Sequence, residues 1–356
     1  MKKIVFYLLI LTISGCIETF EPTIDLDTTA IVITGIITDL NPAQVEIARP
    51  VMGHIKEGNM KRVSGATVLL FDDQGNQEQL TEIKNGYYQG ILKGVVGREY
   101  HINVHLPNND IINSSPQLLK PCPSIDSLFL EQISYLKADG AITQLHINGL
   151  SLNLYMNRDD ALSRYFKWKV GGTYSRYTAF DINRQEPPCY ITLPADFNFT
   201  VGESMSSNAD LLWKKLKLIK PDGTYAFGHS VEVEQYSLTK EAYNYWKKIE
   251  DQQSNVGSVF DPPPAQITGN LSYVDDQNIP AIGFFEVSGV KKKRIFINST
   301  FFLVFPEKPN QFSTRDLDAR CFPPFGWAGP FISPHWCDDC LLIENSTKIK
   351  PSYWPE

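Results

Sequence analysis

Four side chains near the C-terminus have the types and spacing to hold a metal ion. Cys321, His335, Cys337 and Cys340 supply three sulfurs and one imidazole. Tetrahedral Zn²⁺ takes such ligands, and a Cys-x-x-Cys pair such as Cys337–Cys340 is a common half-site. The competing chemistry is oxidation to disulfides. A bond between Cys337 and Cys340 would close a very small loop. The pairing favoured on that ground joins Cys321 to one of them and Cys189 to the other, although connectivity cannot be read from sequence. Pro323, Pro324, Gly326, Gly329, Pro330 and Pro334 all discourage strands. A segment so poor in regular structure needs a tie to the rest of the chain, and a disulfide supplies one.

Other candidates carry less. His101, Asn103 and His105 fall on one face of an alternating strand, which reads as a solvated face. Phe260, Asp261, Pro262, Pro263 and Pro264 form a stiff, partly polyproline-like stretch. It is a candidate contact loop or, equally, a structural crossover, since prolines reduce the entropy lost by a fixed loop. There is no Gly-x-Ser-x-Gly elbow, no His-Glu-x-x-His and no phosphate loop. No catalytic residue and no cofactor is therefore assigned.

The elements that must position these residues are mostly strands. Between residues 28 and 118, short apolar or alternating runs such as Ala30–Ile37, Ala66–Phe71 and Tyr100–Leu106 are separated by turn sequences such as Asp72-Asp73-Gln74-Gly75. That spacing predicts a β-sandwich. Pro121-Cys122-Pro123 reads as a hinge. Residues 119–356 are again β-rich. In Arg164–Val170, Phe166, Trp168 and Val170 share one face, and Tyr165, Lys167 and Lys169 the other. One helix is predicted near 240–254, with Thr239 as N-cap, a Leu238–Tyr243 staple and an apolar face of Ala242, Tyr245, Trp246 and Ile249. The fold class is mainly β: an N-terminal transthyretin-like or immunoglobulin-like sandwich, then a larger β domain with one amphipathic helix.

The start of the chain sets the compartment. Lys2 and Lys3 precede an apolar run, Ile4–Ile13, which is followed by Ser14-Gly15-Cys16. Residues 1–15 read as a signal peptide, and the run is too short to span a bilayer, which takes roughly 20 residues. The Ile-Ser-Gly-Cys order resembles a bacterial lipobox. It implies that Cys16 becomes the first mature residue and carries acyl chains, so the chain hangs from the outer membrane by lipid. Residues 16–27 read as an acidic tether. The composition has 33 Lys+Arg against 40 Asp+Glu, a formal charge of −7. An acidic chain has no electrostatic reason to seek nucleic acid or anionic headgroups. An exported chain meets an oxidising compartment, which favours disulfides at Cys189, Cys321, Cys337 and Cys340 over zinc. With Cys122 the number is odd, and Cys122 is expected to stay unpaired.

Val63-Ser64-Gly65-Ala66-x-Val68, Asp73-x-Gly75 and Gly86-x-Tyr88 resemble carboxypeptidase-regulatory-like or transthyretin-like domains. A second resemblance covers nearly all of the mature chain. It rests on Gln235–Leu238, Glu241-Ala242-Tyr243-x-Tyr245-Trp246, Gly257–Ala265, Thr268-Gly269-Asn270, Gly283-Phe284-Phe285, Pro334–Cys340 and Lys350-Pro351-x-Tyr353-Trp354. Together with the lipobox, these resemble the domain of unknown function 4249 (DUF4249) family of Gram-negative outer-membrane lipoproteins. That resemblance implies a non-catalytic accessory role, capturing substrate for a TonB-dependent outer-membrane transporter, with surface exposure as one outcome. It carries over no catalytic residues. Two other classes stay open: a surface adhesion or envelope structural protein, and a hydrolase whose site is assembled from distant residues.

Overall fold

The computed structural model describes residues 30–50, 60–139, 143–157, 163–176, 187–193, 199–204, 211–219, 228–254, 267–275, 280–297 and 339–355. The first strands are β1 (Val32–Thr38), β2 (Pro42–Pro50), β3 (Met60–Arg62), β4 (Thr67–Asp72) and β5 (Gln77–Gln79). Then come β6 (Thr81–Lys84), β7 (Tyr87–Lys93), β8 (Glu99–His105), β9 (Ile111–Ser114) and β10 (Gln117–Leu118). Longer strands follow: β11 (Ser127–Asp139), β12 (Thr143–Asn157) and β13 (Tyr165–Arg176). After them run β14 (Cys189–Leu193), β15 (Phe199–Glu203), β16 (Leu211–Ile219) and β17 (His229–Leu238). Helix α1 (Lys240–Ser254) precedes β18 (Thr268–Tyr273), β19 (Pro280–Ser288), β20 (Val290–Ile297) and the short β21 (Ser346–Thr347). The chain is mainly β, as its alternating runs require. No helix among the described residues is long and apolar enough to cross a membrane.

The first sheet runs β5-β4-β8-β9-β18-β19-β1-β2-β7-β6, with β10 on β8 and β3 on β2. Its end strands, β5 and β6, are separated in the chain by Leu80 alone, whose N–H donates to Val68 O on β4 at 2.9 Å. The path therefore bends round towards its own start. Period-2 burial follows: Ile33 and Ile37, Val45 and Ile47, Val68 and Leu70, Ile102 and Val104 all point into one core. The tight β4–β5 turn is held by Asp72, whose carboxylate accepts from the N–H groups of Gln74 and Asn76 at 2.9 Å each. Gly75 within it has φ 82°, a conformation glycine takes at no steric cost.

The N-terminal β unit expected at 28–118 draws two of its strands from much later in the chain. β19 pairs with β1 in parallel, Val32 facing Ile282 and Thr38 facing Ser288. β18 in turn pairs with β9. Without them, β1 and β9 would each present a bare edge, a liability that covering strands remove. The joint is tight. Gly283 has φ 115°, and any Cβ there would lie 1.9 Å from Ile33 O. The β18–β19 register slips between Thr268 and Ser272, and Asn270 fills the irregularity. Its side-chain oxygen accepts from Phe285 N–H at 2.8 Å, and its amide donates to Phe285 O at 2.9 Å.

The second unit has two sheets, β11-β12-β16 and β20-β17-β13-β14-β21, with β15 on β13. Phe166, Trp168 and Val170 pack there with Leu150, Leu152, Leu154, Val231 and Val233. This is the face assigned to Phe166, Trp168 and Val170 by alternation. The 120–123 crossing is pinned, in contrast to the hinge expected there. Ser237 Oγ donates to Lys120 O at 2.7 Å, and Gln235 Nε2 donates to Pro123 O at 2.8 Å. Buried Cys122 is unpaired, and burial pushes its thiol up to about 11.

Cys189 on β14 is bonded to Cys340, with Cα atoms 6.0 Å apart and a sequence separation of 151. The C-terminal segment is thereby tied to the second unit, and β21 pairs with β14 beside the bond. Replacing Cys189 and Cys340 by Ser is expected to cost about 2–5 kcal/mol, given the long loop closed, and urea denaturation measures it. A non-reduced peptide digest should link Cys189 to Cys340. Iodoacetamide should label Cys122 only after unfolding.

Candidate functional site

The helix sits where the two β units meet. Thr239 caps it: its Oγ1 accepts from Ala242 N–H at 3.2 Å. The apolar face then packs both ways, as Ala242, Tyr243, Tyr245 and Trp246 join Tyr236 and Leu238 of β17, Phe284 of β19 and Ile36 of β1. Tyr245 stacks on Phe284, with ring centroids 4.8 Å apart. The aromatic residues of this helix are therefore packing groups, as amphipathic spacing predicts.

Alternation on β13 points Lys167 away from the aromatic core and into this junction. Its side chain is only 2% exposed, as is that of its partner Glu286 on β19, and the two form an ion pair. Trp246 Nε1 donates to Glu286 Oε2 at 2.6 Å, and Ser288 Oγ donates to Glu286 Oε1 at 3.0 Å. The Lys167 ammonium lies 4.0 Å from the Trp246 ring centroid and 5.0 Å from that of Tyr236. Both charges are thus partnered on several sides, the condition under which burying an ion pair is tolerable. Burial pushes Lys167 down to about 8, against the pull of Glu286. Tyr236 is pushed up by burial and by Glu234, to which its hydroxyl donates at 2.6 Å.

A cavity of about 490 Å³ opens beside this pair. One wall is the outer face of β1, β2, β6 and β7. Two cross-strand rows define it: Ile36, Gln44 and Gln89 in one, Thr34, Glu46, Tyr87 and Lys84 in the other. Glu286, opposite Ile36 on β19, extends the first row, and Lys167, Lys169 and Trp246 close the other side. The volume is that of a small-molecule site, and an apolar surface interrupted by a few polar groups is the usual lining of one.

Among the described residues, none of the candidate site residues named from the sequence lines the cavity. Cys16, the contact loop Phe260–Pro264, Cys321, His335 and Cys337 fall outside the described residues. Cys340 is committed to Cys189, so its sulfur is not available as a thiolate to a Cys321, His335, Cys337 and Cys340 zinc set, which corrects that alternative. His101 stacks on Phe71 at 5.2 Å and Asn103 donates to Asn113 at 2.6 Å, so that strand face is engaged in packing within the sheet. Sequence reasoning missed Lys167 and Glu286. One signal was there: Glu286 is the single charge within the apolar run Ala281–Val287.

Removing one partner of a buried pair leaves an uncompensated charge. Lys167→Met is expected to cost about 3–5 kcal/mol by urea denaturation, and adding Glu286→Gln should recover part of the loss. The pH dependence has a definite sign. A lysine whose folded pKa is lowered to about 8, against the ordinary 10.5, binds fewer protons folded than unfolded between those values. Its contribution to stability therefore rises from about pH 8 to about 10.5. Wild type should show that rise relative to the Lys167→Met/Glu286→Gln protein across the same window.

No curated protein matches the chain. The profile of one family, described as a domain of unknown function (DUF4249), matches residues 17–294. That span covers most of the chain and takes in every element lining the cavity, and the protein belongs to the DUF4249 family.

Proposed function

We propose that this protein is a lipid-anchored binding component of the outer membrane, non-catalytic, that captures a small molecule for a TonB-dependent transporter. The observation that carries the reading is the cavity between the two β units, with the buried Lys167–Glu286 pair beside it. Its lining suits holding a ligand more than transforming one. Lys167 is engaged by Glu286 and covered by aromatic rings, and no serine or cysteine nucleophile lines the cavity among the described residues. The lipobox at Cys16 supports the anchor. Two or more acyl chains would hold an acidic chain to a bilayer that its charge does not favour.

Two measurements test the reading. Extraction of native membranes in mild detergent, followed by affinity purification, should bring down a TonB-dependent transporter in stoichiometric amount. Recovery of matrix or host material without a transporter would favour the adhesion reading instead. Cys16→Ala should move the protein out of the membrane fraction or leave it unprocessed, and unchanged fractionation would contradict the anchor.

A further inference from the structure

We infer that the cavity takes a small organic anion, a carboxylate or sulfonate carried on an apolar body. This deepens the capture reading and rests on it. Two carboxylates line the cavity, and each has its own cation. Glu286 is paired with Lys167, and Glu46 with Arg62 at 2.7 Å. Two cations are left over. Lys169 forms no ion pair among the described residues: the Tyr236 ring lies 5.8 Å away, and Glu234, opposite it on β17, is already paired with Lys292. Lys84 likewise has only the Tyr87 ring, at 6.0 Å. Both line the cavity, from opposite walls.

An anion between them would meet two positive charges with no carboxylate free to repel it. Lys169 is half-buried, which makes its charge count for more than it would in bulk water, while Lys84 is exposed at the opposite wall. The amides of Gln44 and Gln89 face each other across β2 and β7 and make no hydrogen bond to the described residues, so they can donate to the same ligand. Ile36, Ile83 and the Tyr87 ring supply the apolar surface for its body.

The probe is 8-anilinonaphthalene-1-sulfonate, with N-phenyl-1-naphthylamine as its uncharged counterpart. The full Cys16→Ala chain, purified without detergent, should bind one sulfonate per chain and bind the neutral probe far more weakly. Lys84→Gln/Lys169→Gln should weaken sulfonate binding about tenfold or more. Lys84→Arg/Lys169→Arg should keep it, and Lys240→Gln, outside the cavity, should leave it unchanged. Circular dichroism of each variant separates loss of binding from loss of fold. Equal affinity for the two probes, or sulfonate binding indifferent to the double Gln variant, overturns the inference. The transporter pull-down is read independently, so failure of the partner and failure of the ligand class are told apart.

Discussion

The junction between the two β units depends on one buried ion pair. Lys167 comes from the centre of the second unit and Glu286 from a strand of the first. Neither could be buried alone, because desolvating a single charge costs several kcal/mol. Their positions are thus mutually conditional: β19 must lie beside β1 for Glu286 to reach the joint, and β13 must face the helix for Lys167 to meet it. Trp246 fixes the geometry from a third direction by donating to the carboxylate while its ring covers the ammonium. Replacing the pair with apolar groups could be neutral for stability, so its role is better understood as registration of the two units than as a source of affinity between them.

The interleaved connectivity follows the same logic. A chain that lays down most of its first sheet, builds a second unit and then returns through β18 and β19 to fill the first sheet cannot be pulled into two independent halves. Gln117 and Glu241 reinforce this, the buried Gln117 amide donating to the helix carboxylate at 2.5 Å. The Cys189–Cys340 bond does for the C-terminal segment what strand pairing does elsewhere.

Local patterns were legible because local physics decides them. The Thr239 cap, the end of the helix at Ser254 and the inward face of Phe166, Trp168 and Val170 depend on neighbours within a few residues. The odd cysteine was legible for a related reason: Cys122 sits between two prolines, away from the others. The parallel pairing of β1 with β19 was not legible, since no short-range signal links Val32 to Ile282 across the intervening chain. The cavity was hidden for the same cause. Its walls come from strands far apart in sequence, and alternation places Lys167 only on the face opposite Phe166, Trp168 and Val170, beside Tyr165 and Lys169.

Lys167 and Lys169 show how far alternation can take a reading and where it stops. They are two residues apart, on the same face of the same strand, with the same chemistry. Alternation assigns them one environment. The structure gives them two, because β13 passes under α1 and Trp246 at Lys167 while Lys169 stays at the cavity wall, half-buried. The first lysine is held by a carboxylate and aromatic rings. The second faces Glu234, which already has Lys292, and forms no ion pair of its own among the described residues. Side by side, they differ in what surrounds the charge: one is locked into the junction, and the other stands at the cavity wall with its ammonium open to the cavity.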